Sequence, residues 1–184
     1  MNLKQTLLNE FSLLAHKPYV NKDTLRKFLR FVTDEPYLIR DNNRKDHVCC
    51  FFLPINLATK SIYLVHHKKA QDWIPPGGHI DTSETPLQTV RREFNEELSF
   101  TLSNEDVFLF DITIKDVRSS KNYCETHYDL WYIILCREQT PFVYLKKEFY
   151  NASWFCINNA YNKIKLKDYS AIIQKIKNAV FNQK

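Results

Sequence analysis

Glycine is nearly absent from this chain. Its 184 residues include two, Gly77 and Gly78, side by side; average usage near 7% would give about 13. Where so sparing a chain keeps glycine, the backbone needs it. A CxxC pair is also lacking. The five cysteines, Cys49, Cys50, Cys124, Cys136 and Cys156, are odd in number and lie mostly in apolar runs. They read as reduced core thiols of a cytoplasmic protein. No apolar run approaches the roughly 20 residues that cross a bilayer, and the N-terminus lacks the apolar stretch of a signal peptide. A membrane role is not expected. Strong charge of one sign is missing too. The net charge of +5 suits an anionic small molecule and is too dispersed to argue for nucleic acid.

What is present is enough for one globular domain. Hydrophobic residues make up 44% of the chain and aromatic residues 14%, ample for a core at this length. Leu3, Leu7, Leu8, Phe11 and Leu14 recur at helical spacing. Asn21 is a plausible N-cap for a second helix with Leu25, Phe28, Leu29 and Val32 on one face. From His47 the pattern changes. Val48–Leu53 is a continuous apolar run, a polar turn follows from Asn56 to Lys60, and Ile62, Leu64 and Val65 begin a second strand. Residues 73–80, WIPPGGHI, are punctuated by proline and glycine and read as a loop or strand end. Further strands are expected at 107–114, 128–136 and 153–156, and a closing helix near 168–181. The order favours an α/β sandwich with a mixed sheet, formed by residues 46–184, with residues 1–45 as an N-terminal helical extension packed on the same domain.

The best-defined helix spans 86–98. Thr85 is a natural N-cap, Pro86 falls at the first helical position, and Gln88 completes a capping box. At about 100° per residue, with Glu93 at zero, Glu96 falls near −60° and Glu97 near +40°. The three carboxylates therefore share one face. Leu87, Val90, Phe94 and Leu98 form an apolar stripe beside it. Like charges one turn apart repel, more strongly when partly buried, so the face needs a cation. A hard divalent ion with oxygen ligands fits, and Arg92 lies where it can orient the cluster. Taken alone, such a helix also reads as a solvated acidic face.

Its surroundings decide between the two. Gly78 is followed after five residues by Glu84, and after seven more by Arg92-Glu93-Phe94-Asn95-Glu96-Glu97-Leu98-Ser99-Phe100. This run closely resembles the signature of the Nudix hydrolase family, G-x5-E-x7-R-E-U-x-E-E-x-G-U with U bulky and apolar. One position departs: Ser99 stands where the family has glycine, at the helix exit. The strict resemblance covers residues 78–100, with a looser one over about 46–157.

The resemblance implies a Nudix-like α/β/α sandwich and a pyrophosphohydrolase acting on a nucleoside diphosphate linked to another moiety. It implies Mg²⁺, or Mn²⁺ in its place, held by Glu93, Glu96 and Glu97 with the carbonyl of Gly78, and Glu84 and Arg92 as supporting partners. The general base varies in the family; Glu93 is one candidate and Glu148, before Trp154, the other. On the substrate side, His66 with His67, Lys68 and Lys69 can meet phosphates, Trp73 can stack on a base, and His127 and Asp129 alternate on one strand face with Trp131. The expected partner is thus a nucleotide-like diphosphate. Two other activities stay open, removal of diphosphate from an RNA 5′ end and non-catalytic ligand sensing. Isomerase chemistry on the same fold is disfavoured, because Cys49 and Cys50 lie in an apolar run.

Overall fold

In the computed structural model, which describes residues 2–102, 107–118 and 123–182, two helices lead the chain: α1 (Leu3–Leu14) and α2 (Lys22–Asp34). Four strands follow, β1 (Asp46–Asn56), β2 (Ser61–His67), β3 (Asp72–Ile74) and β4 (Gly77–His79). Then come α3 (Pro86–Leu98), β5 (Val107–Asp116), β6 (Thr126–Leu135) and β7 (Phe149–Cys156). Helices α4 (Ile157–Lys163) and α5 (Lys167–Ile176) and a turn of π-helix at Lys177–Phe181 close it. The sheet order is β3-β2-β1-β6-β5, with β4 paired to β1 and β7 to β2. This is the expected mixed-sheet α/β fold with N-terminal helices. Among the described residues no helix is long and apolar enough to cross a membrane.

Two compact units emerge from the chain. One comprises Met1–Phe51, Gly77–Val90 and Leu109–Tyr132. Here the Asn21 side chain accepts from the backbone N–H groups of Asp23 and Thr24, which starts α2. The helices then seat their aromatic residues on the strands. Phe31 stacks on Tyr128 with centroids 3.7 Å apart, Phe28 meets the same ring edge-on, and Tyr19 stacks on Phe110. The Tyr132 hydroxyl donates to Glu10 at 2.7 Å. Burial raises the Glu10 carboxyl above its usual range, partly offset by that bond.

The other unit comprises Phe52–Pro76, Arg91–Phe108 and Ile133–Lys184. Strand β2 pairs antiparallel with β7 along Ser61–His67, with a bulge between His66 and His67. The buried Asp72 carboxylate accepts from the backbone N–H groups of Lys165 and Leu166, just before α5. It thereby satisfies donors that would otherwise be lost from solvent.

Several details depart from the sequence expectation. Residues 73–80 are not only loop. They supply β3 and β4, three-residue strands created by pairing with β2 and β1 rather than by local propensity. Strand β7 begins at Phe149, four residues earlier than expected, because it runs the full length of β2. Helix α4 was not foreseen. All five cysteines are free; Cys49 and Cys50 are core thiols as expected, but Cys124 and Cys136 are half-buried and Cys156 is exposed.

Candidate active site

The loop into α3 is fixed residue by residue. In β4 the register is Phe51↔Gly77, Cys50↔Gly78 and Cys49↔His79. Gly77 has φ +148°, and a Cβ there would lie 2.2 Å from the Cys50 carbonyl oxygen and 2.7 Å from the Phe51 Cα. Only glycine permits that approach. Glu84 then accepts from the Asp81 N–H and, at 2.7 Å, from the hydroxyl of buried Thr89. Thr85 and Gln88 form the anticipated capping box: the Thr85 N–H donates to Gln88 Oε1 at 2.8 Å and the Gln88 N–H to Thr85 Oγ1 at 3.4 Å.

Further along α3, Val90, Phe94 and Leu98 are fully buried, with Leu87 half-buried. Phe94 packs against Phe52 and Phe142 at centroid distances of 5.2 Å. That anchorage sets which way the neighbouring carboxylates point. Arg92 NH1 donates to Glu93 Oε1 at 2.9 Å and to Glu96 Oε2 at 3.3 Å. One guanidinium thus holds two carboxylates one turn apart. Glu93 is 14% exposed and Glu97 only 5%, whereas Glu96 is 55% exposed. Two of the three acids therefore sit in a medium less polar than water. Such burial strengthens their pull on a cation. Ser99 follows at φ 49°, the left-handed conformation expected of the residue that replaces the family glycine.

Glu148 belongs to a turn docked on the end of this helix. The Leu145 N–H donates to the Glu97 carbonyl at 2.8 Å, and the Glu148 N–H closes the turn onto the Leu145 carbonyl at 3.0 Å. The Glu148 carbonyl accepts from Lys68 N–H. Its carboxylate acts on His67, whose imidazole burial holds below the ordinary value. His67 Nδ1 accepts from the Lys69 and Ala70 N–H groups, so this side chain organises its own turn.

Trp73 and His66 are brought together. Their rings stack with centroids 5.2 Å apart and planes 12° from parallel, and Tyr150, 53% exposed, flanks His66. His127 and Asp129 belong to β6, where Asp129 is fully buried and accepts from Thr113. Burial, with His47, Lys115 and Arg40 nearby, pushes the His127 imidazole down to about 4. Sequence reading missed Thr89, Leu145 and Tyr150. Only Thr89 left a local trace, four residues beyond the cap on the helix that carries the acids.

Comparison with known proteins agrees with this geometry. A family profile described as NUDIX domain matches residues 43–175. A "Probable DHNTP pyrophosphohydrolase" of Lactococcus lactis subsp. cremoris is 26% identical over 123 residues, covering 65% of this chain and 72% of that protein. An RNA pyrophosphohydrolase of Francisella tularensis subsp. mediasiatica is 26% identical over 104 residues, 50% of this chain and 67% of the other. Among solved structures, the E. coli dihydroneopterin triphosphate pyrophosphohydrolase superposes with a TM-score of 0.61 at 18% identity, over 74% of this chain and 96% of that one. The NUDIX domain of Shewanella oneidensis NrtR with ADP ribose also gives 0.61, at 14% identity, over 82% and 97%. The match over most of its length, the capped glutamate helix and the glycine-dependent loop before it make this chain a member of the Nudix family and a Nudix-type pyrophosphohydrolase.

Proposed function

We propose that the chain hydrolyses the pyrophosphate linkage of a nucleoside diphosphate joined to another group, using Mg²⁺ or Mn²⁺ held by Glu93, Glu96 and Glu97. The observation that carries this reading is the carboxylate face of α3, in which Arg92 ties Glu93 to Glu96 while Glu97 stands almost wholly buried beside them. The donor set fits a hard cation: all oxygen, three carboxylates and no thiol. Held by Glu93, Glu96 and Glu97, such an ion would supply Lewis-acid chemistry, offsetting phosphate charge and acidifying the attacking water.

The remaining work falls to the side chains. Arg92 keeps Glu93 and Glu96 from splaying apart, so little reorganisation is needed when substrate arrives. Glu148, pinned to the last turn of α3 through Leu145 and Glu97, is one acceptor for the water proton, and Glu93 is the other. Glu148→Gln and Glu93→Gln separate the two roles: loss of the acidic limb of the pH–rate profile without weaker metal binding belongs to the base. The Trp73–His66 stack offers a flat aromatic surface to a nucleobase. The free thiols support a reducing compartment, the cytoplasm.

One observation favours a second reading, removal of diphosphate from RNA 5′ ends: the Francisella relative carries that name. The deciding experiment is a substrate panel with Mg²⁺, comprising ADP-ribose, Ap4A, nucleotide sugars, dihydroneopterin triphosphate and 5′-triphosphorylated RNA, read out as phosphate, pyrophosphate and nucleotide. The proposal expects turnover of nucleoside diphosphate compounds. Turnover confined to RNA or to the pterin triphosphate would replace it, and binding without turnover would mark a sensing module.

A further inference from the structure

A second constellation is independent of the reading above. His47, His79, Cys124 and His127 each offer one ligand atom, and these atoms all lie within 4.8 Å of one another. The three imidazole centroids form a near-regular triangle, with His47–His79 at 5.0 Å, His47–His127 at 4.9 Å and His79–His127 at 5.5 Å. We infer that His47, His79, Cys124 and His127 form a metal site for one zinc-type transition-metal ion, serving as a structural centre.

Three features of the cluster point to a ligand. The first is the tautomer of His47, which is fully buried. Its Nδ1 lies 3.0 Å from the Asn43 carbonyl oxygen. A carbonyl only accepts, so Nδ1 carries the proton and Nε2 is left with a lone pair. That buried Nε2 has no hydrogen-bond partner, and neither does the buried Nε2 of His127. Metal-bound histidines are oriented in this way, with the far nitrogen donating to a carbonyl. Two buried ring nitrogens without partners, one of them an acceptor, are costly unless something binds them.

The second is scaffolding. The Glu125 and Thr126 N–H groups both donate to the Lys45 carbonyl, at 2.8 and 3.0 Å, and Lys45 pairs with the Glu125 carboxylate at 2.8 Å. The Cys124–His127 segment is thereby tied to the residues immediately before His47. His79 is placed by β4, opposite Cys49 and two residues along from His47's face of β1. Three ligands from three strands, with Cys124 just before β6, are thus held by backbone hydrogen bonds, with no ion needed to gather them.

The third is donor chemistry. Three imidazoles and one thiol select zinc-type ions over Mg²⁺. Around a tetrahedral zinc, ligand atoms stand about 3.3–3.7 Å apart, so the cluster closes by about 1 Å on binding. Cys124 gives its proton to solvent as its sulfur becomes a thiolate ligand. Arg40 NH1 contacts His79 Nδ1 at 3.3 Å, but its side chain is exposed and free to swing into water. Buried Asp129 lies beside His127 and Cys49. With four protein ligands no position stays open for catalysis. The ion would instead fix β4, whose glycines enter the glutamate loop. This assigns His127 to the metal rather than to substrate.

The test uses the full chain, dialysed against Mg²⁺ buffer with a weak chelator, then measured for zinc by mass spectrometry and titrated with Co²⁺. Wild type, Cys156→Ser and Glu97→Gln should retain about one zinc, and their cobalt forms should show a thiolate-to-cobalt band with tetrahedral visible absorption. Cys124→Ser should lose the band, and Cys124→Ser and His127→Gln should each bind zinc at least tenfold more weakly. If these variants do not fold, X-ray absorption of the zinc-loaded wild type decides, with one sulfur and three nitrogen neighbours expected. An oxygen-only shell, no retained zinc, or an unchanged cobalt spectrum in Cys124→Ser overturns the proposal.

Discussion

At the scale of single residues, glycine scarcity has consequences on both sides of α3. Gly77 cannot be replaced: Gly77→Ala would drive a methyl group into the Cys50 carbonyl, 2.2 Å from its Cβ, at a positive φ. A loss of about 2–4 kcal/mol in chemical denaturation is expected. Ser99 is the opposite case. It holds a left-handed φ of 49° without being glycine, as do Lys60, Gln71 and Ser83. Ser99→Gly should raise stability by about 1 kcal/mol, visible as a higher midpoint in the same assay. A lowered midpoint would mean that the Ser99 side chain contributes something its backbone strain does not reveal. The pair was legible from composition alone, since two adjacent glycines in 184 residues call for a reason. Which of the two meets the steric limit was not, because the obstruction is the backbone of Cys50 and Phe51 in β1, far back in the sequence.

At the scale of elements, local signals survived and non-local ones did not. Helix α3 matches its expected bounds because its start is written in neighbouring residues, Thr85, Pro86 and Gln88, and its side by Val90, Phe94 and Leu98. Strands β3 and β4 exist only through partners elsewhere in the sequence, so no period within three residues could announce them. The proposed metal ligands are hidden for the same reason: positions 47, 79, 124 and 127 share a site only once β1, β4 and β6 are in place. Helix α1 offers a test of docking. The Glu10 carboxyl is raised by burial, so the folded state binds its proton more tightly than the unfolded one. That contribution is full below the unfolded value and lost as pH rises through the folded one. Glu10→Gln keeps an acceptor for Tyr132 without the charge. It should melt above wild type at pH 7, and the difference should shrink as pH falls through the carboxylate range. A variant less stable than wild type at pH 7 would show that the charged bond outweighs its desolvation.

At the scale of the whole molecule, a carboxylate-bearing helix set in a mixed-sheet fold defines the reaction class. The fold was legible because one long motif with fixed gaps fell on a capped amphipathic helix, and the family match over residues 43–175 agrees. The substrate was not legible. The surface proposed to recognise it, Trp73 and His66 with Tyr150 beside them, is assembled across separate strands and carries no spacing rule. The proposed hydrolysis depends on Glu97, the most buried acid of the helix face. The most direct measurement is steady-state hydrolysis of a nucleoside diphosphate substrate over a Mg²⁺ titration, wild type against Glu97→Gln, with circular dichroism confirming that both are folded. A fall in turnover of about two to four orders of magnitude, with a right-shifted Mg²⁺ dependence, is the predicted result. Equal turnover at equal Mg²⁺ would contradict the metal assignment at the centre of the account.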